Sequence, residues 1–384
     1  MKVSHFLNGC LLFLTLSSCK GGVSVAYMDS GVDFTCRALC AVSDSVLWAS
    51  GSKGTVLRSV DGGTSWFTYT VADTTNDFRC LYAWDDQTAL VFAICDPVQA
   101  FKTSDGGATW RRVFYEDDER LFINAMTFRE GNDRYGVAIG DEIDLVYCTL
   151  LTDDYGETWH PKRAMGAYPG GGGFAASNTN IQFLSDGRVF FASGVAEAAI
   201  YTAISRPLFS DPLWASTDAR MIWQRYLTPV VSNTPGMASG LNTIYMTNEK
   251  RGIVGGGDFL NPERSDHVVA VTQDGGQSWI EPKRVPHGYI SCIKPIPIPT
   301  KRSDGGMYYR VEDVLLAVGF TGCSISDDFG SSWRPLKDKG KPLTGFHVAA
   351  VAPAGKYLYM AGNHGRMARI SRNHFSKSAV QDRL

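Results

Sequence analysis

The sequence predicts an all-β fold in which short four-stranded units repeat and close into a ring. Three observations carry this. The octapeptide Ser59-Val60-Asp61-Gly62-Gly63-Thr64-Ser65-Trp66 returns along the chain as Ser/Thr-x-Asp-x-Gly-x-Ser/Thr-Trp. Its copies are Thr103 to Trp110, Thr152 to Trp159, Thr272 to Trp279 and Ser326 to Trp333. A degenerate copy, Ser216 to Trp223, keeps Asp218 but has Arg220 and Ile222 at the Gly and Ser/Thr positions. Self-similarity at a period of about 40 to 50 residues marks a repeat architecture. The second observation is that extended apolar runs flank each copy, so Asp-x-Gly falls in a tight hairpin turn. The third is that the two ends of the chain are incomplete in complementary ways.

The elements follow in order. Arg37 to Val42, Ser45 to Ala49, Thr55 to Ser59 and Trp66 to Thr70 read as the four strands of the first unit. The second unit runs from Phe78 to about Val113 and the third from Leu121 to about Pro161. The fourth runs from about Thr179 to Tyr226, the fifth starts near Leu241 and the sixth near Tyr289. Ser303-Asp304-Gly305-Gly306 imitates the repeat without its Trp and reads as a hairpin tip within an insertion. A seventh unit begins at Gly345-Phe346-His347 and ends with the strand Arg366 to Ile370, with no fourth strand after it. Val23 to Met28 has no partner near it in sequence. Pairing it with the last unit satisfies both open edges.

The repeat resembles the Asp-box, or BNR repeat, of sialidases and other β-propellers. That resemblance implies a β-propeller, with the boxes as fold staples on the face away from a ligand site, and the seven units make it seven-bladed. Asp61, Asp105, Asp154, Asp218, Asp274 and Asp328 are then structural. Each carboxylate accepts from amides of its own turn, and Asp61→Ala is expected to cost stability through a buried turn hydrogen bond. The mature chain further resembles a bacterial family of Asp-box propellers called photosystem II stability/assembly-factor-like. The match is carried by Val46-Leu47-Trp48-Ala49-Ser50-Gly51 through Trp66, Gly173-Phe174-Ala175-Ala176-Ser177-Asn178-Thr179, Gly256-Gly257-Asp258 and Gly345-Phe346-His347. Where that family tends to carry a carboxylate, this chain has Gly170-Gly171-Gly172-Gly173.

The net charge of -2 gives no reason to expect a nucleic-acid partner. The start reads as a leader: Lys2, then the apolar run Leu11 to Leu16, then Leu16-Ser17-Ser18-Cys19, which resembles a bacterial lipobox. The expected division is a signal peptide over 1–18 and one propeller domain over 19–384. Cys19 would carry a lipid and tether the protein in the cell envelope. Cys36, Cys40, Cys80, Cys95, Cys148, Cys292 and Cys323 remain, an odd number with no metal-ligand spacing. Cys36 and Cys40 in one strand lie about 13 Å apart and cannot bond to each other. No metal or cofactor is expected, and the chain is expected to be a monomer.

In such a unit the second-to-third turns and the links between units share one face. Alignment by the boxes puts Arg37, Arg79, Asn124, Thr179, Asn242, Ser291 and His347 at equivalent positions, a polar ring at the channel mouth. Arg37 and Arg79 would form an anion fork unless Asp33 and Asp77 neutralise them. Arg37, Arg79, Asn124, Asp141, Asp258 and His347 are the candidate ligand residues. A glycosidase needs two carboxylates across a cleft, for which Asp96, Asp141, Glu142, Asp144 and Asp258 are candidates by face. A sialidase resemblance would require three arginines, a Tyr/Glu pair and an Asp. The expected Arg-Ile-Pro segment is missing, and Phe34-Thr35-Cys36-Arg37 does not replace it. The sequence therefore favours a tethered binding propeller holding a protein or glycan partner, with glycoside hydrolysis as the alternative.

Overall fold

The computed structural model describes residues 23–94, 97–204, 223–283, 285–301, 307–310, 313–352 and 354–375. Cys19, Asp96, Asp218 and the tip 302–306 lie outside the described residues. The innermost strands are Cys36–Ala41, Phe78–Ala83, Ile123–Phe128, Ile181–Phe183, Ser239–Met246, Cys292–Pro295 and Phe346–Val351. Each touches the next in chain order, and the last touches the first. Among the described residues these seven strands line a closed ring, and we count one blade for each.

The blades are antiparallel meanders. In the first, Cys36–Ala41, Leu47–Gly51, Thr55–Ser59 and Phe67–Thr70 follow one another outward. The middle strands of the first two blades, such as Leu47–Gly51 and Ala89–Ala93, are buried throughout. Both of their faces pack on neighbouring blades, so they read as unbroken apolar runs rather than alternating ones. The last blade is composite. Val25–Asp29 pairs antiparallel with Arg366–Ser371, from Val25 opposite Ile370 to Asp29 opposite Arg366. The chain thus closes its own ring with its first strand, as the two open edges predicted.

The fourth and fifth blades join into an eight-stranded sheet through one pair, Gly194 opposite Gly240. A Cβ on Gly240 would lie 2.3 Å from the Gly194 Cα, and Gly240 has φ +147°. Only glycine permits that approach.

Five repeat turns have one geometry. In the first, the Ser59 hydroxyl donates to Asp61 Oδ1 at 2.9 Å and accepts from the Gly63 amide at 2.8 Å. The carboxylate also accepts from the Ser65 amide at 2.8 Å and the Ser65 hydroxyl at 2.6 Å. The same bonds recur at Asp105, Asp154, Asp274 and Asp328. One expectation changes. Asp61 is exposed, and the buried partner is the Ser59 hydroxyl beneath it. The turn faces water, so its carboxylate organises donors at the surface rather than inside.

Candidate functional site

The mouth of the ring is built by a local irregularity repeated in five of the seven blades. In the first blade Cys36 lies opposite Gly51 and Ala38 opposite Ser50, so Arg37 is an extra residue in the ladder. The same shift falls at Arg79, Asn124, Asn242 and His347. A β-bulge bends the strand and re-aims one side chain. The residues before and after each bulge, such as Cys36 and Ala38 or Phe78 and Cys80, stay buried in the blade. At Arg37 and Arg79 the bulged side chain is thereby turned into the cavity at the mouth. Five of the seven polar positions aligned by repeat thus share a backbone device as well as a register, while Thr179 and Ser291 precede their strands and show no such shift.

A plug lies across the channel. The link after the third blade does not stay on the face. Ser177 Oγ donates to the Ser291 carbonyl of the sixth blade at 2.5 Å. Asn178 donates to the Leu81 carbonyl of the second blade at 3.1 Å and accepts from the Met126 amide of the third at 2.8 Å. Thr179 donates to Thr243 of the fifth at 2.8 Å. One short segment therefore bonds to inner strands on opposite sides of the ring. The glycine run before it is explained by space. A Cβ on Gly172 would lie 2.8 Å from Asp141 Oδ1, and one on Gly173 would lie 2.8 Å from Asn124 Cγ.

Above the plug is a cavity of about 370 Å³. Phe174, Ala175 and Ala176 of the plug, Arg37, Arg79, Met237, Ala238, Phe259 and Tyr289 line it. The two arginines differ. Arg79 Nε donates to Asp77 Oδ2 at 2.8 Å. Asp33, the expected counterpart for Arg37, instead pairs with Lys53 at 3.1 Å and His364 at 3.1 Å. Among the described residues no hydrogen bond or ion pair reaches the Arg37 guanidinium, and its buried Nε has no partner. Burial, and then the Arg79 charge, hold its pKa below the usual arginine value. A second wall is aromatic: Tyr289, Phe259 and Phe320 lie 5.3–5.7 Å apart, and Phe320 lies 5.9 Å from His347.

His347 Nε2 is 2.7 Å from Asn363 Oδ1. Burial, and then Arg37, press its pKa down to about 4. It is a neutral ring beside two cations, and its buried Nδ1 is unpartnered. Asn124 donates to Asp141 Oδ1 at 2.8 Å, and the Gly173 amide donates to the same oxygen at 3.0 Å. Burial raises the Asp141 pKa against those two bonds. Asp141 therefore holds the plug against the third blade rather than facing the cavity lining. Asp258 is buried; burial pushes its pKa up, but bonds from Asn261 at 2.8 Å and the Leu260 amide at 3.0 Å bring it below the ordinary value. Of the candidates, Arg37 and Arg79 line the cavity, His347 lies beside them, and Asn124, Asp141 and Asp258 brace loops around it.

The carboxylates do not form a facing pair in this cavity, whose lining contains none. Asp144 is exposed and within 3.4 Å of Arg120. A Tyr/Glu pair does exist: Tyr201 Oη donates to Glu197 Oε1 at 2.9 Å, with Arg225 at 3.4 Å. Burial, and then the Glu197 charge, push that phenol up to about 12. The phenol keeps its proton and packs with Tyr147 between blades, the reverse of an activated nucleophile.

No family model and no curated protein matches the chain. Among solved structures it is similar to one described as "YCF48 bound to D1 peptide", with 15% identity and a TM-score of 0.57 over 92% of this chain and 99% of that one. It is also similar to YCF48 from Cyanidioschyzon merolae, with 13% identity and a TM-score of 0.53 over 91% and 99%. The WD40 repeats of RRP9 match at 11% identity and a TM-score of 0.58 over 92% and 98%. The fold is a β-propeller. At these identities the likeness concerns fold alone, and function rests on the site.

Proposed function

We propose that this propeller is a non-catalytic binding module that takes an anionic group of a protein partner at its plugged mouth. The observation that carries the reading is the Arg37 guanidinium, reached by no hydrogen bond or ion pair among the described residues, beside Arg79 on the wall of the cavity. Two adjacent guanidinium groups repel, and a carboxylate between them removes that repulsion while accepting charge-assisted bonds. A solved structure of this fold is described as YCF48 bound to D1 peptide, which supports the capacity of such a propeller to hold a peptide. The plug gives the mouth a floor, and a blind cavity holds an end or a side chain better than an open pore does.

The test compares partner binding by the parent and the Arg37→Ala/Arg79→Ala variant. Each charge-assisted bond is worth about 1.5–3 kcal/mol, so the double variant should lose at least a hundredfold in affinity. Its melting and circular dichroism should match the parent's. Full binding by the folded double variant removes the anion reading.

The second part of the proposal is the tether. Leu16-Ser17-Ser18-Cys19 supports lipidation at Cys19 in a bacterial cell envelope. Cys19→Ala should move the protein from the membrane fraction to the soluble one. Retention of the variant in membranes would remove this part without touching the mouth.

A further inference from the structure

Among the described residues, six of the thirteen exposed large hydrophobic side chains gather on the mouth face. Leu145, Tyr168, Leu227, Met237, Phe259 and Leu260 are between 43% and 61% exposed. All six come from turns, links or strand ends on the mouth face of the third, fourth and fifth blades. Their neighbours connect them. The Ala167 amide beside Tyr168 donates to the Leu145 carbonyl at 2.9 Å. Arg225, two residues before Leu227, lies over the Tyr168 ring at 5.7 Å. The position of a Gly170 Cβ lies 3.8 Å from both Ala196 Cβ and Met237 Cε. The Phe259 amide donates to the Ala238 carbonyl at 2.9 Å, which sets Phe259 and Leu260 beside Met237. A contiguous exposed apolar patch on a soluble domain marks an interaction surface.

Met237 and Phe259 also line the cavity that Arg37 and Arg79 line. The crescent and the arginine pair therefore meet in one depression, cationic on the first and second blades and apolar on the third to fifth. We infer that a single extended segment of a partner protein binds both: an acidic residue between the arginines, and large apolar side chains laid over Met237, Phe259 and Leu260. This rests on the proposed anion site and adds the chemistry of the rest of the ligand.

Charge favours an acidic peptide over a second copy of this chain as the occupant. Four mouth-face carboxylates around the crescent are already engaged, while Glu263, beyond Leu260, is exposed. Glu197 is held by Tyr201 and Arg225, Asp258 by Asn261 and Leu260, Asp141 by Asn124 and Gly173, and Glu142 by the amides of Leu145 and Gly170. Those four carboxylates of a copy are thus withheld from the arginine pair, whereas an acidic peptide carries a free one.

The test is selection of a displayed random dodecapeptide library on the purified full chain, followed by titration of the best synthetic peptide. Enriched sequences should carry Asp or Glu together with at least two of Leu, Ile, Met, Phe, Tyr and Trp. The peptide should lose at least tenfold in affinity to Met237→Asp/Leu260→Asp, whose sites are exposed, and at least tenfold to Arg37→Ala/Arg79→Ala. Acidic peptides that bind the Met237→Asp/Leu260→Asp protein as well as the parent overturn the crescent and leave the anion site standing. Apolar peptides indifferent to the arginine variant overturn the two-part ligand and the anion site together. Sedimentation of the Cys19→Ala protein gives two further outcomes. Self-association, or cosedimentation with phosphatidylethanolamine/phosphatidylglycerol vesicles, that Met237→Asp/Leu260→Asp abolishes would reassign the crescent to a second copy or to a bilayer and overturn the proposal.

Discussion

In the first repeat turn Asp61 gathers two amides and two hydroxyls, and that has a cost in acid. The Ser65 hydroxyl and then the Ser65 amide hold the Asp61 pKa down to about 2, and matching bonds do so at Asp105 and Asp274. The unfolded chain has no such donors, so its aspartates titrate near the ordinary value of about 3.9. A folded pKa below the unfolded one means that the unfolded state takes up protons first as pH falls. The contribution is whole above about pH 4 and is lost progressively toward pH 2. The denaturant midpoint should therefore be level from pH 7 to about 5 on account of these groups and then fall steeply between pH 4 and 2. Asp61→Asn together with Asp105→Asn and Asp274→Asn should flatten that fall. An equally steep fall in the triple variant would show that other carboxylates govern acid unfolding.

At the scale of elements, the plug explains what the glycine run alone could not. Gly170 to Gly173 reads as a flexible linker, and nothing in its composition announces a segment bonded to four blades. The available signal lay after it: Ser177-Asn178-Thr179-Asn180 is a polar run following Phe174-Ala175-Ala176, a poor composition for a free surface link. The run is buried apart from the half-buried Asn178, so its polar groups need partners, and the inner strands supply them. Gly173→Ala is the sharpest probe. Its φ is not in the left-handed region, so the obstacle is space: the added methyl meets the Asn124 amide at 2.8 Å and the Asn180 amide at 2.9 Å. Overpacking of this kind costs about 1–3 kcal/mol. The variant should melt lower and should also bind partner more weakly, because the plug is the cavity floor. Reduced stability with unaltered affinity per folded molecule would show that the floor is not used by the ligand.

Across the whole molecule, the ring was legible wherever the repeat was strict. The boxes set the register, so the equivalence of Arg37, Arg79, Asn124, Asn242 and His347 could be read before any coordinates. The bulges could not, because an extra residue in a strand leaves only a local break in a period-two pattern. Partner choice was equally hidden: Asp33 and Asp77 occupy equivalent places upstream of their arginines, yet only Asp77 pairs with its own, since Lys53 and His364 compete for Asp33. Closure was legible by elimination, and it yields the most global prediction. Val25–Asp29 is the outer strand of the last blade and the only element from the start of the described chain that pairs with its end. Deleting 23–30 leaves Arg366–Ser371 as an open edge but keeps the contacts among the inner strands. The thermal midpoint should fall, and amide exchange should accelerate first along Arg366–Ser371 and only later in the inner strands. A synthetic peptide spanning 23–30, added in excess, should restore much of the lost midpoint by re-pairing that edge, since a ligand that binds only the folded state stabilises it by mass action. A truncated protein with the parent's midpoint and exchange pattern would mean that the inner ring alone holds the propeller shut and that the first strand is dispensable.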